Sequence, residues 1–465
     1  MCGATIRPYG HAMSPSTPAD RPGPDSEPTA PQNGPVAATD PKSLRRIVAA
    51  SLIGTTIEWY DFFLYGSAAA LVFNKLFFPS FDPFVGTLLA FATYAVGFAA
   101  RPLGGIVFGH YGDRIGRKKL LMWSLVMMGL ATLLIGLLPG YHSIGIWAPI
   151  GLIVLRVVQG FAVGGEWGGA VLMAAEYGDS RRRGYWASWP QAGVPLGSLL
   201  SAGILALMAG FQSEADFIAW GWRVPFLLSA VLVAVGWYIR NRVAETPMFE
   251  AAMAEAEVPP KLPAIEVFRE RPRAVLLGAG LRVGENIGYY ILTVFSLTFL
   301  VDVASESRSL ALDALLIGAA VQFVAIPLLA TLSDRIGRRS VYAFGAFGLG
   351  IFSFLFFPML ASGNDALIIL AIVIGLVLHA SMYAPQAAFI TELFPTRIRY
   401  SGVSIAYQLT SIFAGSLAPI IALWLYKDLG SSVPVSIYVA IACTISGVSA
   451  LLARETKGVE LGDIR

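Results

Sequence analysis

From Lys42 onward the chain alternates between long, almost unbroken apolar runs and short polar clusters, and it does so twelve times. The runs fall at about 47–73, 83–109, 120–139, 144–175, 184–210, 222–240, 274–301, 310–332, 341–360, 366–391, 400–426 and 434–453. A helix crossing a bilayer needs about 20 mostly apolar residues, and every run reaches or approaches that length. A transmembrane barrel would instead show segments of about ten residues alternating in hydrophobicity. Only helices and closed barrels keep the backbone satisfied in lipid, so the pattern predicts an all-α membrane protein with twelve transmembrane helices. Composition agrees, because 14% of the residues are charged and 56% hydrophobic, whereas soluble domains are about a quarter charged.

The polar stretches divide the chain. Residues 1–41 hold nine prolines among Ser, Thr, Asp and Gly, a composition that builds no core and predicts a disordered tail. Met13 is a second possible start, and no short apolar leader precedes the first run. The polar segment 241–273 separates six runs from six, which predicts a half at 42–240, a central loop, a half at 274–455 and a short tail at 456–465. Of the 33 basic residues, 26 fall on the side of the tail and four (Lys75, Arg223, Arg308, Lys427) on the other. That asymmetry predicts both termini in the cytoplasm.

Several chemistries are missing. The net charge of +3 says nothing of nucleic acid, and Cys2 and Cys443 make no disulfide framework. The four histidines, at 11, 110, 142 and 379, form no metal-binding spacing. No G-x-S-x-G and no Walker loop occurs, so an intramembrane esterase or an ATP-driven pump lacks its machinery. The expectation is a non-enzyme without metal or cofactor.

The chain also repeats itself. GHYGDRIGRKK at 109–119 returns as ATLSDRIGRRS at 330–340. Glu176 is followed by Arg181 and Arg183, and Glu392 by Arg397 and Arg399 at the same spacing. The matches fall after spans 2 and 8 and after spans 4 and 10, as a parallel duplication of a six-span unit requires. Such internal symmetry is typical of secondary transporters, with the binding site near mid-membrane between the halves.

The DRIGRKK stretch resembles the loop motif of the major facilitator superfamily, with Gly109, Asp113, Arg114, Gly116, Arg117 and Lys118 in place. The second copy keeps Asp334, Arg335, Gly337 and Arg338 and has Ala330 at the leading glycine position. GTTIEWYDFFLYG in span 1, RVVQGFAVGGEWGGA in span 4 and ELFPTRIRYSG before span 11 narrow the likeness. Together they resemble the metabolite:proton symporters, whose members carry shikimate, 2-oxoglutarate, citrate, or proline and betaine. The likeness covers about 42–455, and RVGEN at 282–286 is more similar to the shikimate-type branch. The short C-terminus lacks the coiled-coil extension of osmosensing betaine carriers, and QAGVPLG in span 5 lacks the adjacent Gly-Pro of drug antiporters.

The resemblance implies two pseudo-symmetric six-helix halves and alternating access. It implies proton-coupled uptake of a small carboxylate across a bacterial inner membrane, by a monomer embedded in the lipid bilayer. Asp113 with Arg117 and Asp334 with Arg338 would form gate pairs, which Glu176 with Arg181 and Glu392 with Arg397 complete within each half. The alternative for these loops is topology determination alone. An osmolyte symporter, an uncoupled facilitator and a membrane sensor that binds without transporting remain as rival functions.

Charged side chains inside spans are costly and are candidates for function by default. Glu58 and Asp61 are three apart on one helical face about half way across span 1, beside Tyr60. Carboxylates sharing a poorly solvated site compete for a proton, as a proton-coupled carrier requires; the alternative is a structural pair. Arg156 in span 4, with Gln159 one turn away, and Arg101 in span 2 could hold a substrate carboxylate in a bidentate grip or brace the first half. Span 7 offers Arg282, Glu285, Asn286 and Tyr289, a binding wall or a self-neutralising pair. His379 in span 10, near Tyr383, could shuttle a proton or simply pack. The glycines at 160, 164, 165, 168 and 169 predict close helix approach in span 4.

Overall fold

The computed structural model describes residues 41–81, 83–241 and 263–464. The expected disordered tail and most of the central loop lie outside the described residues. The membrane helices of the first half are α1 (Pro41–Ala68), α2 (Pro83–Ile115), α3 (Arg117–Leu137), α4 (Trp147–Tyr177), α5 (Arg183–Phe211) and α6 (Arg223–Asn241). Those of the second half are α7 (Pro272–Tyr290), α8 (Arg308–Ile336), α9 (Arg338–Leu360), α10 (Asp365–Thr391), α11 (Arg399–Gln408) and α12 (Val433–Leu452). No strand occurs among the described residues. Among the described residues ten helical stretches are apolar and long enough to cross a membrane, and α2 and α5, at 33 and 29 residues, complete twelve.

Helices that begin the halves share an irregularity. α1 passes into a π-helical turn at Ala69–Phe73, and α7 does so at Ile291–Phe295. α11 is interrupted by a longer π segment, Ser411–Ser416, before the helix Ala418–Leu429. Such bulges free backbone groups locally and often accompany function. The polar segment before α7 also contains a short helix, Pro263–Glu270, which the sequence analysis leaves as loop.

The repeat is visible in the backbone. Gly116 separates α2 from α3 with φ 103°, and Gly337 separates α8 from α9 with φ 108°. A Cβ is strained in that region, so both copies of DRIGR need glycine at this position. The two loops lie on one face of the molecule, hereafter the motif face. In span 4 the glycine stripe does what its spacing predicts. A Cβ on Gly160 would stand 2.0 Å from the Gly97 carbonyl oxygen, and one on Gly164 2.1 Å from that of Arg101. α2 and α4 therefore cross backbone to backbone, which fixes Arg101 and Arg156 on adjoining helices.

One continuous buried cluster joins Trp59, Phe62, Phe98 and Trp167 of the first half to Tyr289, Tyr290, Tyr383 and Tyr407 of the second. The outer surface is apolar instead of charged: Phe211, Leu276 and Ile351 are each more than two-thirds exposed. That is the surface a lipid environment selects.

Candidate functional site

Near the middle of the first half, Glu58, Asp61, Arg101, Arg156 and Gln159 line one narrow cavity with Phe62, Gly97, Met128, Gly160 and Val163. α1 supplies the carboxylates, α2 and α4 the guanidinium groups. Asp61, 2% exposed, accepts a 2.8 Å hydrogen bond from Thr132 Oγ1 on α3. Gln159 Nε2 donates to the same Thr132 oxygen at 2.6 Å, and Arg156 Nη1 donates to Gln159 Oε1 at 3.0 Å. Arg156 thus reaches Asp61 through two neutral side chains. The second oxygen of Asp61, Oδ1, has no hydrogen-bond partner among the described residues. A buried carboxylate oxygen without a hydrogen bond is an uncompensated polar group.

Arg101 has a different environment. Its guanidinium carbon lies 4.4 Å from the Phe98 ring centroid, 4.6 Å from Phe62 and 5.8 Å from Trp59. Among the described residues Arg101 makes no ion pair with a carboxylate. Cation–π contacts hold the group in place and leave its forked donors for an incoming anion. Arg156 also rests on aromatic faces, 4.1 Å from Tyr65 and 5.3 Å from Phe62.

A second polar cluster sits in the second half. Arg282 and Glu285, one helical turn apart on α7, form a buried ion pair. Glu285 Oε1 is 2.8 Å from His379 Nε2 on α10, and His379 Nδ1 is 2.8 Å from Gln322 Nε2 on α8. The Arg282 guanidinium lies 3.7 Å above the Tyr407 ring, which stacks on Trp167 of the first half at 3.4 Å. Trp167 donates to Gln191, and Gln191 donates to the Tyr383 carbonyl at 3.0 Å. Between the two clusters stand aromatic side chains, with Trp59 edge-on to Tyr289 at 6.4 Å and Phe98 edge-on to Tyr290 at 5.6 Å. Asn286 approaches Gly415 beyond α11.

On the motif face, two buried ion pairs cross between the halves. Arg183 Nη1 is 2.8 Å from Glu392 Oε1, and Arg399 Nη1 is 3.1 Å from Glu176 Oε1. Arg338 also reaches Glu392 at 3.4 Å and pairs with Asp334 at 2.5 Å. Asp334 accepts hydrogen bonds from the Gly184 and Tyr185 backbone N–H groups, each at 2.9 Å, at the start of α5. Asp113 does the same for Tyr400 and Ser401 at the start of α11, at 3.1 and 2.8 Å. Each loop carboxylate therefore caps a helix of the other half, where the helix N-terminus favours negative charge. The C-terminal segment adds to this layer: Glu455 accepts from Arg338 N and Arg339 N, while Val459 and Leu461 carbonyls accept from Arg183 and Arg399.

Several expected roles need correction. Glu176 does not pair with Arg181, nor Glu392 with Arg397. Arg181 is exposed, and Arg397 pairs instead with Glu266 at 3.3 Å and Glu270 at 2.7 Å on the short helix. The reason is the tight turn at Ser180–Arg182 and at Thr396–Ile398. With three residues per turn, positions two apart point to different sides, so Arg183 and Arg399 turn inward. Tyr60 does not face the cavity; its hydroxyl donates to the Pro225 carbonyl of α6 at 2.9 Å. Arg114 is exposed beside His110, and Arg335 is exposed with its carbonyl bound by Lys457. The Arg117 side chain lies outside the described residues. Gly109 permits close approach, since a Cβ there would meet Ser401 Cα at 2.8 Å. Sequence reasoning missed Thr132 and Gln322. Gln322 carried a usable signal, a lone amide inside the apolar run of span 8.

A twelve-helix bundle with a polar site closed in its first half suits a small-molecule transporter, and its family and relatives make it one, of the major facilitator superfamily and not an enzyme. Within that class the chain belongs to the sugar (and other) transporter family, whose model matches residues 47–261 and 250–465. It is 41% identical over 416 residues to the shikimate transporter of Escherichia coli K12, covering 89% of this chain and 95% of that one. It is 40% identical over 420 residues to the inner membrane metabolite transport protein YhjE of the same organism, with the same coverage. The proline/betaine transporter of Escherichia coli K12 is 34% identical over 432 residues, 90% of this chain and 85% of that one. Among solved structures, the proton:xylose symporter XylE bound to 6-bromo-6-deoxy-D-glucose superposes with a TM-score of 0.74 over 91% of this chain and 98% of that one. The inward open conformation of XylE from E. coli gives 0.60 over 90% and 99%. At 16% identity both comparisons bear on the fold alone.

Proposed function

We propose that the chain is a proton-coupled symporter that takes up a small carboxylate-bearing metabolite by alternating access. The motif face and both termini lie in the cytoplasm of a bacterial cell, the chain works as a monomer in the inner membrane, and the proton is the only coupling ion. The observation that carries this reading is Arg101, a buried guanidinium without a carboxylate partner among the described residues, in the same cavity as Asp61, whose Oδ1 has no hydrogen bond among them. With Glu58 charged, a protonated Asp61 leaves the cavity that Arg101 and Arg156 line with one net positive charge for a substrate anion. An anion bound there cancels that charge, which removes the penalty on closing a dry site.

In this cycle the crossed Arg183–Glu392 and Arg399–Glu176 pairs hold the cytoplasmic side shut while the site loads from outside. The cavity has room for little more than water as it stands, so loading requires the halves to part on the outer side. Loss of the proton to the cytoplasm returns charge to Asp61 and expels the anion. Homology to the shikimate transporter supports a hydroxylated cyclic carboxylate. A betaine is the less favoured substrate, because Arg101 already occupies the Phe98 and Phe62 faces that a quaternary ammonium would use.

The test is uptake into proteoliposomes under an imposed inside-alkaline gradient, with shikimate, 2-oxoglutarate, citrate, proline and betaine. Accumulation of an acid that a protonophore abolishes is the expected result. In Asp61→Asn, accumulation is expected to vanish while exchange of labelled for unlabelled acid persists. Uptake indifferent to the gradient would leave an uncoupled facilitator instead.

A further inference from the structure

The chain approaches α7 through the short helix Pro263–Glu270, which packs on α2, on α7 and on the start of α11. At about 100° per residue its side chains divide the circumference into distinct arcs. Glu266 and Glu270, one turn apart, face the turn before α11, where both pair with Arg397. Val267 is fully buried, and Ala264 packs against the main core beside it. The apolar arc does not end there. It runs on through Phe268 to Ile265, about 160° in all at helical spacing, and these two side chains are 49% and 51% exposed. The helix is thus apolar over a wider arc than the protein covers.

Arg269 borders the uncovered arc, and Arg271 and Arg273 follow at the elbow where the short helix gives way to α7. Arg271 breaks the helix with φ −131° and ψ 43°, and Pro272 opens α7. Arg269 and Arg273 are exposed and Arg271 is half-buried. Among the described residues none of the three makes an ion pair, because the neighbouring acids, Glu266 and Glu270, are taken by Arg397. One turn beyond the elbow, Leu276 is 69% exposed on the lipid-facing surface of α7. The elbow therefore stands where that apolar surface ends, with guanidinium groups beside uncovered apolar side chains. This is the pattern of a helix lying in the membrane interface.

We propose that this elbow, residues 265–273, is a binding site for an anionic phospholipid of the leaflet on the motif side. Ile265 and Phe268 lie among the acyl chains, and Arg269, Arg271 and Arg273 hold the headgroup phosphate. Guanidinium suits a phosphate through its forked donors. Basic groups at a membrane surface also enrich anionic lipid, by about fivefold for each group engaged. Such a site goes beyond the transport reading and is independent of which metabolite is carried. It also touches the gate, since Arg397 joins the short helix to the tight turn before α11, two residues from the Arg399 that crosses to Glu176.

The test is fluorescence quenching of bimane attached at Phe268→Cys, with Cys2 and Cys443 changed to Ser and the full chain in phosphatidylcholine nanodiscs. A few per cent of the lipid carries bromine on its acyl chains, as phosphatidylglycerol in one sample and as phosphatidylcholine in the other. At low salt the brominated phosphatidylglycerol is expected to quench about fivefold more strongly, the enrichment that one engaged arginine gives. High salt should shrink that excess. Arg269→Gln, Arg271→Gln and Arg273→Gln together should remove it, whereas Arg45→Gln with Arg46→Gln, two exposed arginines of α1, should leave it. Equal quenching by the two lipids would mean ordinary contact with bulk lipid and overturns the proposal. A label that neither lipid quenches overturns it too: access to aqueous iodide then marks a face in water, and protection from iodide a face covered by protein. An excess that survives the triple variant, or that the α1 pair removes equally, overturns the assignment to these arginines. The comparison of the two lipids uses one folded protein, so it decides even where the triple variant fails to fold.

Discussion

Arg101 and Arg156 look alike in the sequence, each a lone arginine in an apolar span, and only their partners separate them. Arg156 is engaged by Gln159 and resting on Tyr65, whereas Arg101 is held by ring faces. Arg101→Lys keeps the charge but loses the planar fork and its stacking. Uptake by this variant is expected to show KM raised about 10–100-fold, the worth of a charged hydrogen bond or two, with the gradient dependence retained. An unchanged KM would place the carboxylate elsewhere. Tyr60 carries the opposite lesson. It neighbours Asp61 in sequence, yet successive helical residues point about 100° apart, and its hydroxyl ends on α6.

At the scale of elements, the apolar runs were legible because a 20-residue span needs no partner to be recognised. The gate was legible in its residue types and not in its pairings. Spacing from Glu176 offered Arg181 and Arg183 equally; only the tight turn before α5 decides which arginine enters the interface. The segment 456–465 read as a tail, because its contacts are the backbone carbonyls of Val459 and Leu461, the Thr456 hydroxyl on Glu392 and Lys457 on the Arg335 carbonyl, none of which stands out in a sequence. The crossed pairs lead to an expectation. Glu176→Gln together with Glu392→Gln leaves Arg399 and Arg183 buried without their full counter-charges, which costs about 3–5 kcal/mol per broken pair when the geometry cannot relax. Opening the motif face exposes both arginines to water and relieves that cost. Ser404, 1% exposed between the halves, reports on it: in a background with both Cys2 and Cys443 changed to Ser, Ser404→Cys should react with maleimide from the motif side faster in the double variant than in its parent. Equal rates would reduce the pairs to bracing.

For the whole molecule, the repeat supplied the architecture and the resemblance supplied the class, and both rest on motifs that shape the machine. The site was half legible. Glu58, Asp61, Arg101 and Arg156 converge on one cavity, as polar residues at mid-span should. The contacts that tune them, Thr132 to Asp61 and Gln322 to His379, arise from helices 71 and 57 residues away, a distance no local pattern encodes. The central claim is that substrate and proton move together through one closed site. Its most direct test is proton movement in proteoliposomes with no gradient imposed, followed by an external pH electrode as shikimate is added. Coupled symport predicts alkalinisation of the outside on substrate addition, absent in Asp61→Asn. Shikimate entry without any change in external pH would contradict the account.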